Sequence, residues 1–220
     1  MRLLLIRHGQ IQSNVDGVLD SAVPGPALTE VGREQAEVLP EALDGELIGS
    51  IWVSNLLRTQ QTAAPLARRL GIEPVVRDGV REIYAGEYEG SAAREDVRRY
   101  VESVLAWAGG DLDVRIPGSE NGREFFARFD AVVDEAVAAA REDGCETVAI
   151  VSHGAAIRCW SSARTDNLGV EAVSHLWLDN TGVAVLEQTD TGWTCRSWMG
   201  NPITGVGAEA PAGPTGEPVE

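Results

Sequence analysis

Cysteine is scarce in this 220-residue chain, and its three cysteines, Cys145, Cys159 and Cys195, are widely spaced. An odd count without a Cys-x-x-Cys pair argues against a disulfide framework and against a zinc site. Long apolar runs are missing too. The run after Arg2 is too short for a signal peptide, and no segment approaches the length needed to cross a bilayer. We therefore expect a cytoplasmic protein with reduced thiols and no bound metal.

Positive charge is also in short supply. The sequence contains 34 acidic and 18 basic residues, which gives a formal net charge of −16. A surface of this sign repels nucleic acid and anionic membranes, so we expect neither as a partner. If the protein binds an anion, it must concentrate its few arginines at one place. Apolar residues make up 44% of the chain, which is ordinary for a globular protein.

Histidine occurs only three times, at His8, His153 and His175. His8 follows the apolar run Leu3–Ile6, and His153 follows a second strongly apolar run at 147–151. Such runs, ended by a turn, predict buried strands. In open α/β sheets, ligands bind outside the carboxyl ends of the strands. We therefore expect His8 and His153 at one ligand-binding edge, whereas His175 lies in a strand pattern and is interpreted as structural.

Predicted strands and helices alternate along the chain. The predicted strands are 2–7, 47–53, 72–76, 147–151, 175–178, 182–187 and 193–198, and the predicted helices are 29–43, 56–70, 94–107, 119–142 and 155–163. This alternation predicts an α/β fold, a three-layer α/β/α sandwich with a mostly parallel central sheet. Without a linker or repeat, we expect residues 1–203 to form a single domain, with an irregular insertion at about 84–118 that covers the ligand-binding edge. Residues 204–220, rich in Gly, Pro, Ala and Glu, are expected to be a disordered tail.

Two arginines accompany the two histidines. Arg7 directly precedes His8, and Arg58 follows the strand that ends at Val53. Guanidinium groups match the oxygens of phosphate, and a helix that begins near Gly154 would add backbone N–H groups. The combination predicts a phosphate site at the edge of the sheet.

The same residues suggest phosphoryl transfer through a covalent intermediate. His8 is assigned as the nucleophile, because Gly9 beside it would allow a ligand to come close. His153 would stabilise charge on the phosphoryl oxygens. An alkoxide leaving group needs an acid, and Glu82 is the candidate, with Glu87 and Glu89 as alternatives.

Five motifs resemble the histidine phosphatase superfamily, also called the phosphoglycerate mutase-like superfamily. They occur in family order and are Leu5-Ile6-Arg7-His8-Gly9-Gln10 with Asn14; Leu28-Thr29 with Gly32 and Gln35-Ala36; Ser54-x-Leu56-x-Arg58-Thr59-x-Gln61-Thr62-Ala63; Arg81-Glu82 with Gly86 and Glu89-Gly90; and Val151-Ser152-His153-Gly154. Asn180 is similar to a further family asparagine. Each piece alone is weak, but the set is specific.

This resemblance implies a phosphatase that acts on a small phosphorylated metabolite and needs neither metal nor cofactor. It implies that His8 is phosphorylated, that Glu82 donates the proton, and that the phosphate contacts Arg7, Asn14, Arg58, His153 and Gly154. A homodimer is common in the family. One departure is Ile11, which stands where the family usually has Thr or Ser; a hydroxyl expected near the phosphate is therefore missing, and Ser13 or Asn14 could compensate.

Three alternatives remain at this stage. The first is a cofactor-dependent phosphoglycerate mutase, although the acidic segment after Glu82 lacks the arginines that would hold a second phosphate. The second is a protein phosphohistidine phosphatase, a type that tends to be smaller and to lack the acid-bearing insertion. The third is a binding protein on the same fold, against which the intact set of candidate residues argues. The substrate rim is expected at 21–27 and 84–117, with Tyr84, Tyr88, Trp107 and Arg115 available.

Overall fold

The computed structural model describes residues 1–170 and 175–203. Its strands are β1 (Arg2–Arg7), β2 (Ile48–Val53), β3 (Val75–Val76), β4 (Thr147–Ser152), β5 (Val183–Thr189), β6 (Gly192–Trp198) and β7 (Asn201–Pro202). Its helices are α1 (Gln12–Asp16), α2 (Glu30–Ala42), α3 (Leu57–Leu70), α4 (Arg94–Ala108), α5 (Gly122–Glu142) and α6 (Gly154–Arg164). The predicted tail 204–220 lies outside the described residues, and the domain bounds remain a prediction.

The strands form one seven-stranded sheet in the order β3-β2-β4-β1-β5-β6-β7. The pairs β3-β2, β2-β4 and β4-β1 are parallel, while β5, β6 and β7 join in antiparallel orientation. The sheet is therefore parallel at its centre and antiparallel along one side. Because helices pack on both faces, the predicted α/β/α sandwich is confirmed.

Strand β1 shows how the two layers of core arise from alternation. Its Leu3 and Leu5 pack in one apolar cluster with Phe125 and Phe129 of α5, and its Leu4 and Ile6 pack in a second cluster with residues of α2 and α3. Successive side chains of a strand point to opposite faces. All four β1 residues are fully buried, so the strand that carries Arg7 and His8 at its end is fixed from both sides.

Local capping rules explain where two of the helices begin and end. Helix α2 begins after Thr29, whose hydroxyl accepts a hydrogen bond from the backbone N–H of Gly32. Helix α3 ends at Gly71, which has a φ of 70°, a left-handed conformation that glycine adopts at low cost. Pro65 lies inside α3, which is nevertheless continuous from Leu57 to Leu70.

Other predictions were wrong. Residues 176–178 are irregular rather than a strand, because side chains take the carbonyls that a ladder would use: the Trp198 indole donates to Trp177 O and Arg7 donates to Leu178 O. Helix α5 begins at Gly122 rather than near 119, because Asn121 and Glu124 form a capping box that starts the helix there.

Among the described residues, no helix is long and apolar enough to cross a membrane.

Candidate active site

The candidate site lies where three parallel strands end. In the β1–β4 pair, Arg7 lies opposite Ser152, so the residues that follow, His8 and His153, come side by side. Their ring centroids are 5.2 Å apart. The topology thus brings together two imidazoles that are 145 positions apart in the sequence.

The His8 ring is buried and its tautomer is set by the backbone. Nδ1 lies 2.7 Å from the carbonyl oxygen of Gly9, a contact that requires Nδ1 to donate. Nε2 is then the nitrogen with a free lone pair. Burial, together with the positive charges of Arg58 and Arg7, holds the pKa of His8 well below its usual value of 6.5. The imidazole is therefore neutral and nucleophilic at neutral pH.

The His153 ring is fully buried and bound on one side only. Its Nε2 lies 2.8 Å from Oγ of Ser54, which in turn lies 2.9 Å from Oγ1 of Thr59. Its Nδ1 is buried without a hydrogen-bond partner. Burial, followed by the charge of Arg58, lowers the pKa of His153 well below 6.5. An unpaired buried nitrogen is costly unless a ligand satisfies it.

Arg58 is 1% exposed and keeps part of its guanidinium unpaired. Nη2 donates to the carbonyl of Asp20 at 2.8 Å, and Nη1 lies 3.6 Å from a carboxylate oxygen of the same residue. Nε and Nη1 have no hydrogen-bond partner. Burial lowers the pKa of Arg58, against the opposing charges of Glu82 and Asp20. The group stays cationic because the pKa of arginine starts so high.

Arg7 shows the same pattern. Nη1 donates to the carbonyl of Leu178 at 2.6 Å, and Nε is buried without a partner. Burial lowers the pKa of Arg7, while the charge of Glu82 opposes that shift. A Cβ on Gly154 would lie 3.2 Å from Nε of Arg7, so the predicted site residue Gly154 gives the guanidinium its space.

Glu82 occupies the amino end of α6. Its carboxylate accepts hydrogen bonds from the backbone N–H groups of Ile83 (2.9 Å), Ala155 (3.2 Å) and Ala156 (2.9 Å). The sequence prediction reserved this helix terminus for phosphate, but two of its N–H groups are already bound to Glu82. Electrostatically, Glu82 is the carboxylate with the largest effect on both Arg7 and Arg58.

The two alternative acids are placed differently. Glu89 accepts hydrogen bonds from the backbone N–H groups of Ser21 (2.8 Å) and Ala22 (3.0 Å), and also from the Ser21 hydroxyl. It therefore fixes the loop that follows Asp20. Glu87 is exposed. Of the three acids, Glu82 alone contacts the helix that carries His153.

Asn14 is exposed, and its side chain joins two backbone segments. Oδ1 accepts from the N–H of Ile11 at 3.2 Å and from the side-chain amide of Asn180 at 3.1 Å. The Asn180 amide also donates to the carbonyl of His8 at 3.0 Å. Ile11 is buried with Leu28 and Ala36 in a small apolar cluster. Ile11, which departs from the family pattern, therefore packs as a buried apolar residue at this position.

Gly9 has a role other than the expected close approach of a ligand. A Cβ at Gly9 would lie 2.6 Å from the carbonyl oxygen of Gly32, and one at Gly32 would lie 2.1 Å from that of Gln10. Two glycines therefore let the loop after His8 lie directly on the start of α2. Thr62 secures the loop from α3, since its hydroxyl accepts from the Gly9 N–H at 2.9 Å.

Some residues at the site were missed by sequence reasoning. Arg158, one helical turn after Gly154, and Arg7 each place the guanidinium carbon 5.8 Å from a ring centroid of Trp177. Trp177 is 62% exposed and lies on the rim. Trp107, predicted for the rim, is instead fully buried in the core. Arg158 could have been predicted from its spacing, because it lies on helix α6 shortly after His153.

Comparison with known proteins identifies the family to which this chain belongs. The profile of the histidine phosphatase superfamily (branch 1) matches residues 3–201. The chain belongs to this family, as its motifs predicted.

Three relatives give the context. A PE-PGRS family protein, PE_PGRS11 of Mycobacterium tuberculosis, is 35% identical over 90% of this chain, and the match spans only 36% of that protein. Phosphoserine phosphatase 1 of Hydrogenobacter thermophilus is 28% identical over 86% of this chain and 88% of its own length. The solved structure of a mycobacterial glucosyl-3-phosphoglycerate phosphatase with VO3 has a TM-score of 0.75 and 27% identity, covering 90% of this chain and 98% of that one. At the level of the family, the prediction of a phosphatase is confirmed.

Proposed function

We propose that this chain hydrolyses a small phosphate monoester through a phosphohistidine at His8. The observation that carries the proposal is the set of unpaired buried nitrogens on Arg7, Arg58 and His153 around the neutral His8 ring. Buried polar groups normally have partners. A tetrahedral dianion would supply acceptors for all three residues, and no apolar or cationic ligand would.

The first chemical step transfers the phosphoryl group to the protein. Nε2 of His8 forms a bond to phosphorus while the bond from phosphorus to the ester oxygen breaks. Glu82, in its protonated form, gives its proton to the departing oxygen, so that an alcohol leaves. Of the two carboxyl oxygens, Oε2 has only one contact, at 3.2 Å to the Ala155 N–H, and is the better placed to carry the proton.

The second step returns the enzyme to its starting state. Water attacks phosphorus, Glu82 takes up one of its protons, and the bond between phosphorus and Nε2 of His8 breaks. Inorganic phosphate leaves. In both steps the guanidiniums of Arg7 and Arg58 bind the phosphoryl oxygens, and Nδ1 of His153 donates to one of them in the tautomer in which Ser54 donates to Nε2.

The acidic surface makes this clustering of cations important. With a net charge of −16, the protein repels anions at long range. Arg7 and Arg58 lie close enough in the site that the charge of Arg58 lowers the pKa of Arg7, so the local field favours an anion there. The partner is a small phosphorylated metabolite, in keeping with the substrates named for two relatives, phosphoserine and glucosyl-3-phosphoglycerate. A cytoplasmic location and a homodimer remain predictions.

A phosphatase and a phosphoglycerate mutase differ in the acceptor of the phosphoryl group. Incubation with 3-phosphoglycerate and a trace of 2,3-bisphosphoglycerate separates them, and we expect free phosphate to form faster than 2-phosphoglycerate. The opposite order would establish the mutase. A phosphorylated histidine peptide, tested beside phosphoserine and a panel of phosphorylated metabolites, distinguishes the protein phosphohistidine phosphatase, which would prefer the peptide. Activity is expected to survive a chelator.

A further inference from the structure

Residues 79–83, here called the acid segment because they carry Glu82, form no strand and only part of a short helical turn. Every carbonyl in the segment nevertheless accepts a hydrogen bond from a side chain. The donors are Arg128 to Gly79 (2.6 Å), Arg81 (2.9 Å) and Glu82 (3.2 Å), Ser152 to Val80 (2.8 Å), and Tyr100 to Ile83 (2.9 Å). Side chains therefore replace the backbone ladder that would otherwise fix this segment.

Three of these five carbonyls depend on Arg128 alone. Its guanidinium has five N–H donors in a planar fork, which suits several acceptors at once. The side chain is 14% exposed and also donates to the buried carboxylate of Glu120 through Nε at 2.7 Å and Nη2 at 2.6 Å. All of its nitrogens are thus bound, and the carboxylate that balances its charge holds it in place.

The position of Glu120 in the chain gives this ion pair a second effect. The acid segment directly precedes the predicted insertion 84–118, and Glu120 lies just after the insertion. Arg128 on α5 therefore ties together the two ends of the insertion. The close packing of α5 on the acid segment agrees with this, because a Cβ on Gly79 would lie 2.4 Å from the carbonyl oxygen of Arg128.

We propose that Arg128, paired with Glu120, is a positioning residue that fixes the carboxyl of Glu82 against the leaving-group oxygen of the substrate. This inference rests on the proposed function, in which Glu82 is the proton donor. Arg128 contacts Glu82 at its backbone carbonyl, so any effect on proton transfer passes through Glu82. Losing the fork would let the carboxyl move away from the oxygen it must protonate, while the phosphate site on the parallel strands stays intact.

The test compares two leaving groups in Arg128→Met and Arg128→Lys. For phosphoserine, whose alkoxide needs an acid, we expect kcat to fall on the order of 10-fold or more in Arg128→Met with little change in KM. For p-nitrophenyl phosphate, whose leaving group needs little help, the loss is expected to be much smaller. Arg128→Lys, which keeps the charge and some of the hydrogen bonds, should recover part of the phosphoserine activity.

Arg164→Met is the matched control. Arg164 also forms an ion pair, with Asp130 at 2.7 Å, and lies over an aromatic ring, that of Phe126. It makes no contact with the acid segment, so its loss should affect both substrates equally and weakly. If Arg128→Met does not fold, as judged by circular dichroism, Arg128→Lys and Glu120→Gln carry the same comparison.

A double-variant cycle with Glu82→Gln completes the test. If Arg128 acts through Glu82, then Arg128→Met causes little further loss on phosphoserine once Glu82 has been replaced. Equal losses on both substrates, or additive losses in the double variant, would overturn the inference and leave the proposed function standing. If Glu82→Gln itself lowers both substrates equally, Glu82 is not the acid; the mechanism then fails at that step and takes this inference with it.

Discussion

The phosphate site and the acid segment are built in different ways. Arg7, His8 and His153 lie at the ends of buried parallel strands, and Arg58 lies in the first turn of the helix that follows a third strand. Glu82 lies on an irregular segment, half-buried, and is held by side chains that reach it from α4, α5 and β4. In the proposed mechanism, sheet topology therefore determines where the phosphate binds, whereas individual side chains determine where the proton is delivered. Substitutions in the first region should abolish turnover of every substrate. Substitutions in the second should lower turnover of alkyl phosphates more than that of aryl phosphates.

The largest effect is expected at the nucleophile. His8→Ala removes the ring nitrogen that we propose forms the covalent intermediate, and kcat should fall by roughly 10³-fold or more for every substrate. His175→Ala, an exposed histidine, is the control and should keep full activity. Comparable turnover in His8→Ala would show that His8 is not the nucleophile.

A smaller but still general loss is expected at Arg58. Arg58→Lys keeps the charge but loses the planar fork, so kcat/KM should fall by roughly 10²-fold for aryl and alkyl phosphates alike. Arg68→Lys on the same helix α3, at an exposed position, is the matched control. A loss confined to alkyl phosphates would mean that Arg58 serves the leaving group and that the two regions are not separate.

Selective loss is expected at Glu82. Glu82→Gln keeps the oxygen that accepts from the N–H groups of Ile83 and Ala156 but cannot supply the proton, so phosphoserine turnover should fall by about 10²-fold. Turnover of p-nitrophenyl phosphate should fall much less. Glu87→Gln, an exposed acid, is the control, and a larger selective loss there would move the proton donor to Glu87.

The smallest effect concerns stability against pH. The pKa values of His8 and His153 are lowered in the folded protein below the value of 6.5, so below that pH the unfolded chain binds more protons. The free energy of unfolding should be highest above pH 6.5 and fall as the pH drops, by up to about 1.4 kcal/mol per pH unit for each histidine. Urea unfolding at pH 7.5 and 5.5 measures this.

The control for that measurement is His8→Ala, which should lose less stability than the native protein between the same two pH values. An equal loss in both proteins would mean that His8 takes up its proton as readily when folded, contrary to its burial beside two arginines.

Sequence patterns predicted that Arg7, His8 and His153 lie together, because their positions follow from local rules. Apolar runs gave the strands, and parallel strands bring their carboxyl ends together. The acid segment was harder, because its shape depends on contacts between residues far apart in sequence, such as Arg128 with Gly79 and Glu120. The strand predicted at 175–178 also failed because of distant contacts. Side chains far away in sequence, Trp198 and Arg7, donate to the carbonyls of Trp177 and Leu178. The packing of Gly9 on Gly32 was not predicted, because nothing in the sequence shows that these two backbone segments meet.

The most direct test of the central claim is the identity of the phosphorylated atom. The native protein, mixed with ³²P-labelled substrate and quenched within milliseconds in alkali, should contain an acid-labile phosphoryl group that mass spectrometry places on His8. Glu82→Gln should accumulate the same species when p-nitrophenyl phosphate is the substrate, because its loss slows attack by water. Hydrolysis without a phosphohistidine, or a label on any other residue, would contradict the account.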